Sequence, residues 1–446
     1  MDMEKVLEPF EALLRSSVGR IDDPGVVIDL VLRLLYDEYR YYESWGTYQW
    51  DGRHWKKKFD KRPDQFSNKE VVELVEPYII DIIDELSRFL YAPRPDVAFW
   101  METDAAIEKL RTLLSDKNRL SNIAWGVIYG GWYIGSDVSD ICLVRQHSDL
   151  LETKDFLSVD NGVIDLKTGA LYRHDDKKEL FFTHVLQTPY NPNASADSFC
   201  EALEIVTNGN VHLAEYLQWA LGSAITGHKT YSNVFWLYGP PQTRKELFLQ
   251  IVADILEDYS IIVPHTAFMH ANGNKSLIKK LNGKRMLYCL DYPNGAHMQI
   301  GSLKTLCEAD DMLLYWHEKE HYVCSLTNVF VASSGFPKVL IDPSPFWTRV
   351  RPIVLPTPRR YHNLFDDAFI RKVMQEKEGI LAWLVKGAKK YLADPSLQKG
   401  TLSFSDLAND MKERWVKEMK SALSEREQNK KPLPTRKGQT HNKNRL

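Results

Sequence analysis

A chain of 446 residues with 44% hydrophobic and 26% charged side chains reads as soluble and globular, and its length predicts two to four domains rather than one core. The formal net charge of −3 excludes a globally basic nucleic-acid binder, so any contact with DNA must come from local patches. Three such patches are present: Arg53 to Lys58 (RHWKKK), Lys279 to Arg285 (KKLNGKR), and the last seventeen residues from Lys430, which hold six Lys or Arg and no acid. For each, a solvated charged face is the plainer alternative.

The five cysteines (Cys142, Cys200, Cys289, Cys307 and Cys324) include no CxxC pair and have no histidine at zinc spacing, which predicts reduced thiols in a cytosolic protein. The opening MDMEKVLEPFEALL lacks a signal-peptide pattern. The longest uncharged stretch, Leu120 to Ser136, is interrupted by four glycines. It falls short of the about 20 apolar residues that span a bilayer, and reads as buried core.

Residues 1–150 read as a mainly helical N-terminal domain. Asp23-Pro24 supplies an N-cap and a first-turn proline for a helix with Val27, Leu30, Val31, Leu34 and Leu35 on one face, and Ser67 with Glu70 forms a capping box before another. Between them YQWDGRHWKKKF predicts a hairpin turning at Asp51-Gly52. Its aromatic and basic residues suit stacking on a nucleic-acid strand, while the blander alternative packs Trp50 and Trp55 on the helices. Residues 151–232 form a small unit: short strands in FLSVDNGVIDLKTGALYRH, with turns at Asn161-Gly162 and Thr168-Gly169, then a helical stretch.

Residues 233–360 carry the chemistry. The apolar run Val234 to Tyr238 stops at Gly239-Pro240-Pro241, and apolar positions then recur at helical spacing through Leu247, Phe248, Ile251, Val252 and Ile255. A strand feeding a helix through such a loop aims backbone N–H groups and the positive end of the helix dipole at one spot, where a phosphate can sit. Gly239 and Lys245 fall where a GxxxxGK[ST] loop has its first Gly and its Lys. Arg244 stands in place of the second Gly and Glu246 in place of the magnesium-binding hydroxyl, so a strand-turn-helix with an exposed basic turn remains the alternative. A second buried strand, in KRMLYCLDYPNG, ends in Asp291, where phosphate-loop ATPases hold magnesium. MLLYW and HYVCS flank HEKE as a hairpin with His317 and Lys319 at its tip. Asn328 to Ala332 predicts a further strand, and FWTRVRPIVLP offers Arg349 and Arg351. Residues 361–425 read as a C-terminal helical domain, helical from Asp366 to Leu392, and 426–446 as a basic flexible tail.

Taken in order, NGVIDLKTG, EYLQWALGSAITG, LYGPP, the Asp291 strand, FWTR and EGILAWLVKGA resemble the superfamily 3 helicase module of phage and plasmid primase-helicases, over residues 156 to 392. Residues 1 to about 120 and the tail beyond about 400 match no motif of that family. The resemblance implies an α/β protein with an AAA+-like superfamily 3 helicase core, a mainly helical N-terminal domain and a helical C-terminal region. It further implies a homo-hexameric ring, ATP and Mg2+ bound between subunits, 3′ to 5′ movement on single-stranded or forked DNA, a primase-polymerase domain as partner, and the cytoplasm of a bacterial host. Carried over residue by residue, the nucleotide loop comprises Gly239, Pro240, Pro241, Gln242, Thr243, Arg244, Lys245 and Glu246. Lys245, Asp291 and Arg349 are the catalytic set, with Arg349 the arginine finger and Arg351 its reserve. Asp291 and Glu246 are the magnesium ligands, and the hairpin around His317 and Lys319 holds DNA. Ser334 departs from the Asn of the sensor position and Tyr292 from a possible second acid. Together with Arg244 and Glu246, these departures support a rival reading: a non-enzymatic ring with a decayed ATPase site that holds single-stranded DNA for a partner polymerase.

Overall fold

The computed structural model describes residues 3–42, 46–59, 66–91, 96–132, 144–145, 152–228, 234–240, 243–269, 280–281, 283–303, 311–316, 319–324, 328–339, 350–357 and 366–395, with isolated positions at 277 and between 397 and 420. In the first third, capped helices surround an apolar core. Helix α1 spans Met3–Ser17 and α2 spans Pro24–Glu38, where the Asp23 side chain accepts the Gly25 N–H at 2.9 Å. The capping box predicted at Ser67 and Glu70 starts α3 (Asn68–Leu90), with both reciprocal bonds made. Helices α4 (Val97–Ser115) and α5 (Lys117–Trp132) complete the layer. Leu120, Ala124, Val127 and Ile128 of the uncharged stretch are buried in it, and no helix among the described residues is long and apolar enough to cross a membrane.

This region also holds a sheet that was not expected. Strand β1 (Tyr39–Tyr42) follows α2 directly, β2 (Gly46–Trp50) and β3 (Trp55–Phe59) form the predicted hairpin, and β4 (Val144–Arg145) runs parallel to β1, in the order β3-β2-β1-β4. Gly52 takes φ +93° at the turn. Trp55 packs on Phe181 with ring centroids 5.5 Å apart, and its backbone N–H donates to Phe182 O at 2.8 Å. The hairpin thus fastens this region to the next.

Strands β5 (Phe156–Val159), β6 (Gly162–Asp165) and β7 (Leu171–Tyr172) form an antiparallel meander, followed by helices α6 (Asp197–Thr207) and α7 (Val211–Ser223).

The central strands of the main sheet are short apolar runs buried on both faces, as parallel sheets require, while the edge strand Ser260–Ile262 is partly exposed. The sheet's strands are β8 (Val234–Tyr238), β9 (Ser260–Ile262), β10 (Met286–Cys289), β14 (Asn328–Ser333) and β16 (Val350–Val354), all parallel, in the order β16-β8-β14-β10-β9. Helix α8 (Lys245–Leu256) follows β8. Two small pairs lie apart from this sheet: β11 (His297–Met298) with β15 (Lys338–Val339), and the hairpin of β12 (Asp311–Trp316) with β13 (Lys319–Cys324). The hairpin register pairs Trp316 with Lys319, so Lys319 begins the returning strand rather than standing in the turn. This mixed arrangement of helical regions around a parallel sheet is consistent with an AAA+-like helicase-type fold.

The helical stretch from Asp366 is two helices, α9 (Asp367–Gln375) and α10 (Lys377–Ala393). Glu376, at the break, accepts the backbone N–H groups of Ser198 and Phe199 at 3.0 Å each, so its carboxylate caps the positive end of α6. Helices α7 and α10 cross backbone to backbone: a Cβ on Gly222 would meet Gly387 C at 2.4 Å, and one on Gly387 would meet Gln218 O at 2.1 Å. Residues 366–393 therefore share one core with α6, α7 and α8, where Phe199 stacks on Phe248 and meets Trp383 edge-on.

Candidate nucleotide-binding site

The strand registers bring three loop starts to one level of the sheet's carboxyl edge. Tyr238 pairs with Ser333 and Cys289 with Val331, so β8, β14 and β10 end at this edge, and Asp291 follows two residues beyond the end of β10. Hydrogen bonds tie the turns together across this edge. Gly239 N donates to Ser333 O at 3.3 Å, Tyr292 N to Ala332 O at 3.0 Å and Leu355 N to Tyr238 O at 2.8 Å. Open parallel sheets take ligands outside this edge.

Gly239 is required by space: a Cβ there would lie 2.9 Å from both Leu355 O and Thr243 Cγ2. Thr243 closes the turn through its N–H and hydroxyl, donated to Pro240 O at 3.0 and 2.8 Å. Arg244 precedes α8 at φ +57° and ψ +21°, the left-handed backbone that the second glycine of a phosphate loop would supply freely, and its side chain is exposed. Lys245 is the first residue of α8, with its side chain 1% exposed and Nζ 2.7 Å from Glu246 Oε1. Although ion-paired, that ammonium makes no hydrogen bond of good geometry among the described residues. Glu246 is itself partly exposed, in the first turn of the helix.

Asp291 is exposed and also left-handed, at φ +55°. Four non-glycine residues among those described have positive φ. Asn208 is an ordinary left-handed helix end and Glu257 closes α8 at φ +43°, ψ −121°; the other two, Arg244 and Asp291, lie in the segments that follow β8 and β10 at this edge. Tyr292 points away: it is buried against Trp236, His265 and Phe268, donates its hydroxyl to His297 O at 3.1 Å, and has its pKa raised by burial and by nearby Cys289. Ser333 accepts from Trp236 Nε1 at 2.9 Å, and Ser334 is exposed just beyond it.

The structure thus brings Gly239, Pro240, Thr243, Arg244, Lys245, Glu246 and Asp291 to one edge. Pro241, Gln242, His317 and Arg349 lie outside the described residues, and Lys319 is described in its backbone only. Arg351 turns inward: its guanidinium lies over Trp219 and Phe235 and donates to Leu397 O at 3.0 Å, with burial lowering its pKa. That placement removes it as a reserve finger, since a finger must reach a neighbour's phosphate.

Two basic patches are partly engaged by partners within the chain, one in the core and one at the surface. Arg285 is buried and donates to Ile225 O at 2.5 Å and Thr153 O at 3.0 Å, anchoring the preceding unit to the sheet. In the hairpin, Arg53 pairs with Asp160 at 2.5 Å and Lys56 with Asp51 at 2.9 Å. Burial of the Asp51 carboxyl is outweighed by Lys56 and the N–H groups of His54 and Arg53, which hold it well below the usual carboxylate range. The tail from 430 lies outside the described residues. Cys200 and Cys289 are free thiols, and no cluster of three metal-ligating side chains occurs among the described residues.

A sequence family described as "D5 N terminal like" matches residues 29–208. The link, to D5-like primase-helicases, is distant. It falls largely on the N-terminal region, where helical periodicity carries no motif that can be read from one sequence. No protein of curated function matches the chain. Among similar solved structures are "The A form apo structure of NrS-1 C terminal region-CTR", 14% identical over 45% of this chain and 49% of that one, with a TM-score of 0.35. A second A-form apo structure of that region is 12% identical over 46% and 49%, with a TM-score of 0.32. "The apo structure of NrS-1 C terminal region (305-718)" is 13% identical over 63% and 76%, with a TM-score of 0.36. The chain spans about half the length of the first two.

Proposed function

We propose that this chain is an ATP-dependent, ring-forming replicative DNA helicase of a phage, moving 3′ to 5′ as the C-terminal part of a primase-polymerase. The observation that carries the reading is Lys245: a buried ammonium at the start of α8, without a well-formed hydrogen bond, at the sheet edge that also bears Asp291. That donor set fits a magnesium nucleotide. Lys245 and the N–H groups at the start of α8 would hold the phosphates. Asp291, with Glu246, would hold the metal, which supplies charge neutralisation for phosphoryl transfer. Arg349 would reach the site from the neighbouring subunit of a hexamer, and His317 and Lys319 would contact DNA phosphates.

One observation favours the rival, a non-enzymatic ring that holds single-stranded DNA: Tyr292 is committed to the core, so no acid follows Asp291 to orient an attacking water. A DNA-dependent ATPase assay separates the two. The helicase reading expects turnover stimulated by DNA and abolished in Lys245→Ala and Asp291→Ala. Absence of turnover together with tight single-stranded DNA binding would establish the rival.

A further inference from the structure

Glu246 puts a carboxylate where a phosphate loop has a neutral hydroxyl, at a place that gathers positive potential from Lys245 and the start of α8. It is the second residue of α8, so its side chain lies in the first turn, where the helix dipole attracts anions. Its Oε1 is 2.7 Å from Lys245 Nζ, and Lys245 is only 1% exposed, so no other described side chain shares that ammonium. Glu246 is 33% exposed, so it is free to leave by rotating outward, whereas Lys245 is fixed by burial. The chain therefore supplies its own anion to the place where a phosphate loop receives one.

We propose that Glu246 is a self-occupant of the phosphate site, and that nucleotide enters only together with a divalent cation, which draws the carboxylate off Lys245. This rests on the nucleotide-site reading above. Without metal, phosphate must displace a charge partner from a buried ammonium and then sit beside the displaced carboxylate, so both steps oppose binding. With metal, the same carboxylate becomes an oxygen ligand and the repulsion becomes attraction. A loop with a hydroxyl at this position lacks the first obstacle, so its metal dependence is smaller.

The test is equilibrium titration of the full chain with a fluorescent ATP analogue, in magnesium and in chelator, for the unmodified protein, Glu246→Thr and Glu246→Gln. We expect the unmodified chain to bind about a hundredfold or more weakly in chelator, the factor that separating a buried ammonium from its carboxylate partner supports. Both variants should bind in chelator to within about tenfold of their affinity in magnesium. The Gln variant keeps the shape of Glu246, so it decides the matter if the Thr variant fails to fold. Equal binding by the unmodified chain in both media, or a Gln variant as metal-dependent as the unmodified chain, would overturn the self-occupant while leaving the nucleotide site intact. If the unmodified chain binds no nucleotide even in magnesium, the site reading itself falls and the self-occupant falls with it.

Discussion

Replacing Arg244 with glycine should move fold stability and nucleotide affinity in opposite directions. Arg244 sits at φ +57°, where a residue with a Cβ is disfavoured by roughly 1–2 kcal/mol. Glycine removes that strain but adds about 0.5–1 kcal/mol of unfolded-state entropy. The side chain is exposed, so little packing is lost, and the net expectation is a gain of about 0.5–1 kcal/mol. If the guanidinium contacts a phosphate, its removal takes away a charge-assisted hydrogen bond worth about 1.5–3 kcal/mol, which is roughly 10- to 100-fold in affinity. Urea denaturation of Arg244→Gly without nucleotide measures the first quantity, and titration with magnesium and a fluorescent ATP analogue measures the second. A variant less stable than the parent would refute the strained loop. One that binds nucleotide as well as the parent, or better, would show that Arg244 makes no phosphate contact and that its strain serves no ligand.

Three further outcomes are expected. Arg349→Ala and Lys245→Ala subunits, each inactive alone, should regain ATPase activity when mixed in equal amounts, because roughly a quarter of interfaces in a ring then pair an intact finger with an intact loop; no recovery would exclude a site shared between subunits. Gly387→Ala should destabilise the chain by about 1–3 kcal/mol or more by thermal or urea unfolding, because its Cβ would fall 2.1 Å from Gln218 O on α7; unchanged stability would mean that the helices do not cross there. Burial, with Lys284 nearby, lowers the His184 pKa from 6.5 to about 4, so the unfolded chain takes up a proton before the folded one does. Stability should therefore be full above the unfolded value and fall by about 3 kcal/mol as pH drops from 6.5 to 4. His184→Gln should flatten that fall, and His54 and His174, shifted the same way by burial, contribute in the same direction.

The strand-loop-helix at Asn233 to Leu256 was legible because two signals change there together, from a continuous apolar run to helical spacing across Gly-Pro-Pro. Capping residues named the starts of α2 and α3 for the same reason: their chemistry is local. Strands β1 and β4 were not legible, since YRYY is too short for a period and a two-residue strand has none. Nor was the break at Glu376, where helical spacing continues and the carboxylate's partners lie 177 and 178 residues away. The paired burial of Lys245 beside Glu246 was hidden because adjacent opposite charges read as a solvated turn until a fold encloses one of them.

The four departures from the phosphate-loop pattern do not bear equally on the choice between a working and a decayed site. Tyr292 has been absorbed: its ring fills the core and its hydroxyl is bonded, so its presence is explained by stability alone. Ser334 is exposed beside a well-bonded Ser333, and no contact among the described residues fixes its identity. Arg244 and Asp291 differ in kind. Each holds a left-handed backbone on an exposed residue, at a cost that many substitutions to glycine or asparagine would relieve. Strain that the fold does not need marks positions held for another purpose, and a site released from function would be free to relax it. That both positions follow strands of the sheet edge that also bears the buried Lys245 accords with the proposed nucleotide site, whatever rate of turnover the missing second acid permits.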